Sequence, residues 1–340
     1  MAGPGLLKEW SKGMRVPENR KPKPGLITIF GARGRLGAPL ARYVRARAPD
    51  VILRLVTSAP AKARNLEVEF PDAQVVVANF YDEPSMKMAL DGANGVFVVT
   101  PNFLDEEKAM PIFVRAASAT DTIVHIVRLL GDPPGMTLDR VPASIRDFRP
   151  HGPATQHLLA KDILEESGLP ITFINCAAYL MDNFLASPAA TLRDRHELVV
   201  PVNRLNAFID PRDVGETAAC LLLSDNHRHI GQIYHLDNGH DVMRFSEAAE
   251  VMTRVFGVKI GYDGSKERFF RDLAARYRQI LGNERAAEYM VDVFEYELEN
   301  EVTWRRSDVV EAIIGRRPKT LEAWLQEHRD LILPRVEMRT

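Results

Sequence analysis

The chain has 340 residues, 46% apolar and 26% charged, and its 44 lysines and arginines against 46 aspartates and glutamates leave a net charge of −2. That length holds one large core or a sheet with an appended lobe, and the balanced charge offers no global electrostatic case for nucleic acid. Two cysteines in apolar stretches, Cys176 and Cys220, argue against a disulfide framework or a cysteine metal site and fit a reducing, cytoplasmic compartment.

Met1 to Pro24 is rich in lysine, arginine and proline and lacks the apolar core of a signal peptide, so it is expected to be an arm outside the main fold. Trp10 within it is a candidate for docking on a neighbouring subunit, which leaves a homodimer open. No apolar run in the chain is long enough to span a membrane.

The stretch Leu26 to Arg47 (LITIFGARGRLGAPLARYVRAR) reads as buried strand, glycine loop and amphipathic helix. Gly31, Gly34 and Gly37 meet three needs of a pyrophosphate site: a tight turn, bare backbone near the phosphates, and close helix-on-strand packing. Leu36, Leu40, Tyr43 and Val44 share one helical face, so the loop presents a helix N-terminus to an anion. Pro39 fits only near that start.

Val51 to Val56 predicts a second strand, and its end decides between cofactors. An NAD site places an acid there, whereas this chain has Thr57 and Ser58 followed by Lys62 and Arg64, with Arg33 and Arg35 in the glycine loop. Hydroxyls among cations suit a 2′-phosphate, so NADP is favoured over NAD.

Gln74 to Ala78 and Gly95 to Thr100 predict further strands around a helix at Ser85 to Leu90. A helix at Glu106 to Ala117 and a strand at Ile123 to Leu130 follow. The expected architecture is an α/β, Rossmann-type doubly wound parallel sheet, with ligands at its C-terminal strand ends, where Thr100, Pro101 and Asn102 lie. Gly131 to Pro153 reads as a loop. A helix from Thr155 ends near Gly168-Leu169-Pro170, as a C-cap glycine and a stop should, and Ile171 to Asn175 is the next strand. His157 and Lys161 are four residues apart and share a helix face. A lysine there can bond a ribose, and a histidine can exchange a proton near neutral pH.

Beyond Asn183 the pattern loosens into a smaller, mostly helical C-terminal substrate lobe. A short strand at Leu198 to Val202, a helix at Val214 to Leu223, a strand at Gln232 to Leu236 and a helix at Phe245 to Val255 are expected. Two aromatic-rich helices are expected over Arg268 to Glu295, and Trp304 with Arg305 and Arg306 suggests a surface cation patch. There is no metal-ligand cluster. The expected division is residues 1–24 as arm, 25–180 as dinucleotide-binding domain and 181–340 as substrate lobe, with 208–236 returning to the first domain.

The glycine spacing, the VVTPN strand end, the H-x-x-x-K helix followed by ESGLPIT, and AYLMDNF after the next strand together resemble the NmrA-like family of atypical short-chain dehydrogenases. That family includes isoflavone-reductase-like enzymes and NADPH-sensing proteins. The likeness runs from Leu26 to Leu222 and returns weakly in GRRPKTLEAWL. It implies a pyrophosphate at Gly31, Gly34, Leu36 and Gly37, an adenosine ribose near Ser58 and Lys62, and a nicotinamide flanked by Thr100 and Pro101. It also implies that Lys161 lies by the nicotinamide ribose, and that Tyr179 to Asn183 covers the substrate pocket.

The usual short-chain dehydrogenase tyrosine is replaced by His157, and the serine of the fifth strand by Leu129-Leu130. A proton relay would therefore use His157, Tyr179 or His151, with Asn102, His151, Asp182 and Asn183 near the substrate. The expected function is reduction of a small apolar or aromatic molecule with NADP. A redox-neutral lyase or isomerase and a non-catalytic NADP sensor are the alternatives.

Overall fold

The computed structural model describes residues 20–133, 135–300 and 306–333. Trp10 and most of the arm lie outside them, as do Trp304 and Arg305. Six strands run in parallel through the first half: β1 (Leu26–Phe30), β2 (Ile52–Thr57), β3 (Gln74–Val77), β4 (Gly95–Val98), β5 (His125–Leu130) and β6 (Ile171–Asn175). The helices between them are α1 (Gly37–Arg47), α2 (Pro60–Glu69), α3 (Glu83–Leu90), α4 (Glu106–Ser118), α5 (Ala143–Arg146) and α6 (Gln156–Glu166).

After β6 the chain leaves the sheet through β7 (Tyr179–Leu180), a 3-10 turn at Met181–Leu185, α7 (Ala189–Arg195), β8 (Glu197–Val199) and β9 (Leu205–Ile209). It returns as α8 (Pro211–Leu223) and β10 (Ile233–His235), which pairs in parallel with β6. The seven-stranded order is β3-β2-β1-β4-β5-β6-β10. The order reverses between β1 and β4, which opens a crevice at their C-terminal ends.

Both faces of the sheet are covered, which is why its strands are apolar without alternation. Ile27 and Ile29 pack with Leu40, Val44, Val214 and Ala218 on the α1 and α8 side. Phe30 packs with Met86, Phe113, Ala160 and Leu164 on the side of α3, α4 and α6. α8 approaches α1 closely because Gly215 has no side chain: a Cβ there would lie 2.7 Å from the Leu36 carbonyl oxygen. Asp210 caps α8 by accepting from the Arg212 amide, and buried Asp213 accepts from the Lys319 amide, tying the C-terminal GRRPK turn to the sheet layer.

The lobe is completed by β11 (Val242–Arg244), α9 (Phe245–Phe256), β12 (Gly261–Asp263), α10 (Lys266–Asp272), α11 (Ala274–Leu281), α12 (Ala286–Glu299), α14 (Leu321–Glu327) and α15 (Arg329–Ile332), while α13 (Val309–Ile314) packs back on the sheet core beside α8. Phe184, Phe208, Phe245 and Trp324 form its core. α12 docks on the start of α6. The Tyr289 ring lies where a Gly152 side chain would be, and its hydroxyl is 3.1 Å from Thr155 Oγ1.

Several expectations need correction. α2 was not foreseen, because only Leu66 in it is buried and its sequence has no apolar stripe. α3 starts two residues early, since Asp82 caps it. The loop after β5 contains α5. The aromatic region holds three helices rather than two, because Gly282 in a left-handed conformation (φ +71°) ends α11 and α10 breaks off at Leu273. The described end of the arm is packed: Lys21 is buried, and its ammonium donates to the Leu222 carbonyl.

Candidate active site

The glycine loop after β1 has no room for side chains. Gly31 has φ +69°, and a Cβ on it would lie 2.5 Å from Val99 Cγ1. A Cβ on Gly37 would lie 2.4 Å from the Gly31 carbonyl oxygen and 2.9 Å from Ala32 Cα, both rigid backbone. α1 therefore starts hard against the turn. No side chain caps it and no acid stands in its first turn, so the positive end of its dipole is not offset there.

That crevice is a cavity of about 610 Å³. Its wall includes Gly31, Arg33, Gly34, Arg35, Leu36 and Gly37 from the loop, and Thr57, Ser58 and Lys62 after β2. Arg33 lies beside Asn65 of α2, 3.1 Å from the amide oxygen when that amide is turned to face it. This end offers cations and hydroxyls and no carboxylate. Arg64, counted with the cations in the sequence, is exposed and outside the wall. Arg35 turns toward the lobe, where Nη1 donates to Asp182 Oδ1 (3.0 Å) and Asn183 Oδ1 (2.6 Å).

Thr100, Pro101 and Asn102 after β4, and Leu129 and Leu130 at the end of β5 with Gly131 beyond, form the middle of the wall with His157. Behind them lies a buried polar network the sequence reading missed. Arg128, fully buried on β5, donates through Nη2 to Glu106 Oε1 (2.7 Å), Thr100 Oγ1 (3.1 Å) and His157 Nδ1 (3.3 Å). Gln156 donates to the Pro101 carbonyl (3.0 Å) and accepts from the Phe103 amide (2.7 Å). The missed signal was an arginine inside the apolar run IVHIVRLL, since a buried charge requires a partner.

This network sets the state of His157. Burial, reinforced by the Arg128 charge, holds its pKa well below the ordinary value. A guanidinium can only donate, so His157 Nδ1 is the acceptor and the ring proton resides on Nε2, the edge beside Gly131. His157 is thus a neutral hydrogen-bond donor, and the expected proton exchange near neutral pH is corrected. Lys161, one turn further along α6, pairs with Glu165 at 3.4 Å and is not part of the cavity wall.

On the lobe side, Tyr179, Asn183, Tyr277 and Phe294 join the wall, and Met290, Val293, Arg204 and Glu297 complete it. Arg35, Asn102, Tyr179, Asn183, Tyr277 and Phe294 also line a second cavity of about 320 Å³, whose remaining wall includes Pro188, Val199, Pro201, Phe269, Leu273 and Leu281. Burial raises the Tyr179 pKa far above that of a free phenol, and pushes the Cys176 thiol in the same wall up to about 12. Asp182 and His151 do not line either cavity. Asp182 is held by Arg35, and His151, buried next to Thr155, has its pKa lowered by burial. Among the described residues no group of three or more His, Cys, Asp or Glu is placed to hold a metal ion.

Known proteins share this architecture. A reductase of (4-alkanoyl-5-oxo-2,5-dihydrofuran-3-yl)methyl phosphate from Streptomyces griseus is 24% identical over 323 residues, covering 91% of this chain and 100% of that protein. The crystal structure of an NADPH-dependent quinone oxidoreductase from Escherichia coli, solved with NADPH, superimposes with a TM-score of 0.70 at 21% identity, covering 89% of this chain and 99% of that one. The negative transcriptional regulator NmrA, solved with NADP, superimposes with a TM-score of 0.69 at 17% identity, covering 90% and 95% of the two chains. The model of the NmrA-like family matches residues 23–325, and with the glycine cradle and the crevice in place the chain belongs to that family.

Proposed function

We propose that the protein is an NADP-dependent reductase of a small, flat, apolar or aromatic molecule. One observation carries this: a single cavity joins a side-chain-free glycine cradle with cations at one end to a neutral histidine donor and an aromatic lobe at the other. The names of the relatives, reductases of a phosphorylated furanone and of quinones, support the same reading. The cradle fits a pyrophosphate because a Cβ at Gly31 or Gly37 would meet fixed neighbours, and the cations beside Ser58 fit a 2′-phosphate.

In this reading Gly31, Gly34, Leu36 and Gly37 hold the pyrophosphate, Ser58, Lys62 and Arg33 hold the 2′-phosphate, and Thr100 and Pro101 flank the nicotinamide. When bound, NADPH supplies the hydride. His157 Nε2–H donates to the oxygen on which negative charge develops, as an imidazole kept neutral by burial and by Arg128, and that oxygen then takes its proton from solvent. Tyr179 stays protonated and closes the lobe side of the pocket, and the leucines that replace the usual serine keep that wall dry. The two unbonded cysteines, Cys176 and Cys220, fit a cytoplasmic setting.

The test is titration of the purified protein with NADPH and NADH, followed by quinones, enones and aromatic ketones with cofactor absorbance as readout. NADPH should bind at least about tenfold more tightly than NADH and be consumed in proportion to product. Product formed without net cofactor consumption would replace the reductase with a lyase or isomerase. NADPH binding with no turnover of any acceptor would favour a sensor, the reading suggested by the likeness to a transcriptional regulator.

A further inference from the structure

Arg204, just before β9, is a buried charge in the cavity wall with most of its donors unused. It is 6% exposed, and its one hydrogen bond from the guanidinium among the described residues runs from Nε to Glu297 Oε2. Nη1 is buried with no partner. The guanidinium carbon sits 3.7 Å from the centroid of the Phe294 ring and 5.2 Å from that of Phe245, so an aromatic surface holds its plane and a carboxylate holds one edge.

A buried arginine whose role is purely structural is surrounded by acceptors, because each unmet N–H costs free energy. Here most of the fork is left unused while its orientation is set by its neighbours, as in a preorganised binder. The charge balance narrows the ligand. Glu297 already offsets Arg204, and Asp182 offsets Arg35, an arginine that lines both cavities. The surrounding wall is Met290, Val293, Phe294 and Tyr277.

We propose that Arg204 is a substrate-binding and specificity-determining residue that donates to an uncharged oxygen acceptor, a carbonyl of ketone, lactone or amide type, on a flat substrate whose apolar body lies against Phe294 and Tyr277. This rests on the reductase reading, whose own test is NADPH consumption. Arg204 is therefore tested by binding alone, in the complex with oxidised NADP, where no turnover occurs.

The probes are α-tetralone, tetralin, which has the same body without the oxygen, and naphthoate, which carries a full charge. Wild type should bind α-tetralone about tenfold more tightly than tetralin, and more tightly than naphthoate. In Arg204→Met the preference for the ketone should fall to about threefold or less while NADP affinity stays within about twofold of wild type. The double variant Arg204→Met, Glu297→Gln removes both charges together, so a fold that tolerates no lone Glu297 still gives an answer. Discrimination surviving in these variants, naphthoate as the preferred ligand, or no preference in wild type would each overturn the proposal. If the ketone preference follows Arg204 but NADPH is never consumed, the reductase reading falls and the acceptor site stands.

Discussion

His157 and Lys161 share a face of α6, yet they meet different surroundings one turn apart. His157 is at the crevice, with Arg128 behind it and Gly131 in front, whereas Lys161 is paired with Glu165 away from the wall. His157→Leu should therefore lower kcat about a hundredfold on any accepted substrate, the cost of losing one donor to a developing oxyanion, with NADPH affinity retained. Lys161→Ala should change kcat by less than about threefold. A collapse of activity in Lys161→Ala would return that lysine to the reacting centre. The pH profile carries a second check. The neutral imidazole is the working form and its pKa is depressed, so its contribution is fully present above about 6.5 and persists as pH falls through that value. It is lost only below the lowered pKa. A kcat limb centred near 6.5 that disappears in His157→Leu would contradict the Arg128 account.

At the scale of elements, the strand-loop-helix of β1 and α1 is held by contacts that are local in sequence. Substituting Gly37 by alanine would push a methyl into the Gly31 carbonyl and Ala32 Cα, so α1 must lift from the turn. The expected cost is about 1–3 kcal/mol of stability together with at least tenfold weaker NADPH binding, measured by urea unfolding and cofactor titration. Gly92→Ala is the control: its φ is +66° but a Cβ there meets nothing within 4 Å, so it should lose some stability and no cofactor affinity. This locality explains what could be read without coordinates. Gly34, Gly37 and the Gly168 stop depend on neighbours a few residues away, whereas Gly31 is fitted against Val99 and Thr100 against Arg128, both distant in the chain. The pairs Arg128 with Glu106 and Arg204 with Glu297 join elements 22 and 93 residues apart, and only the folded chain brings them together. The place of Lys161 was hidden for a related reason: helical spacing identifies a face but not how far along the helix the crevice reaches.

For the whole molecule the consequential contact is the one between the glycine loop and the lobe. Arg35 leaves α1's turn to grip Asp182 and Asn183, which follow β7, so the loop that would meet a pyrophosphate is tethered to the segment that walls the second cavity. A pyrophosphate and the Asp182 carboxylate would compete for one guanidinium, and a ligand shifts such an equilibrium only by its difference in affinity for the two arrangements. Asp182 is disfavoured as a charge by burial, which raises its pKa against the opposing pull of Arg35. Asp182→Asn removes the competing charge and keeps the shape, so NADPH should bind about 2–5-fold more tightly, the scale of a partly exposed ion pair. Arg35→Met should weaken binding, and in the double variant the benefit of Asp182→Asn should vanish, since the two act through one contact. Equal gains from Asp182→Asn with and without Arg35 would mean that the carboxylate acts on the cofactor by its own field and that the tether plays no part. Weaker NADPH binding in Asp182→Asn would mean instead that the lobe must be held by this pair for the crevice to form.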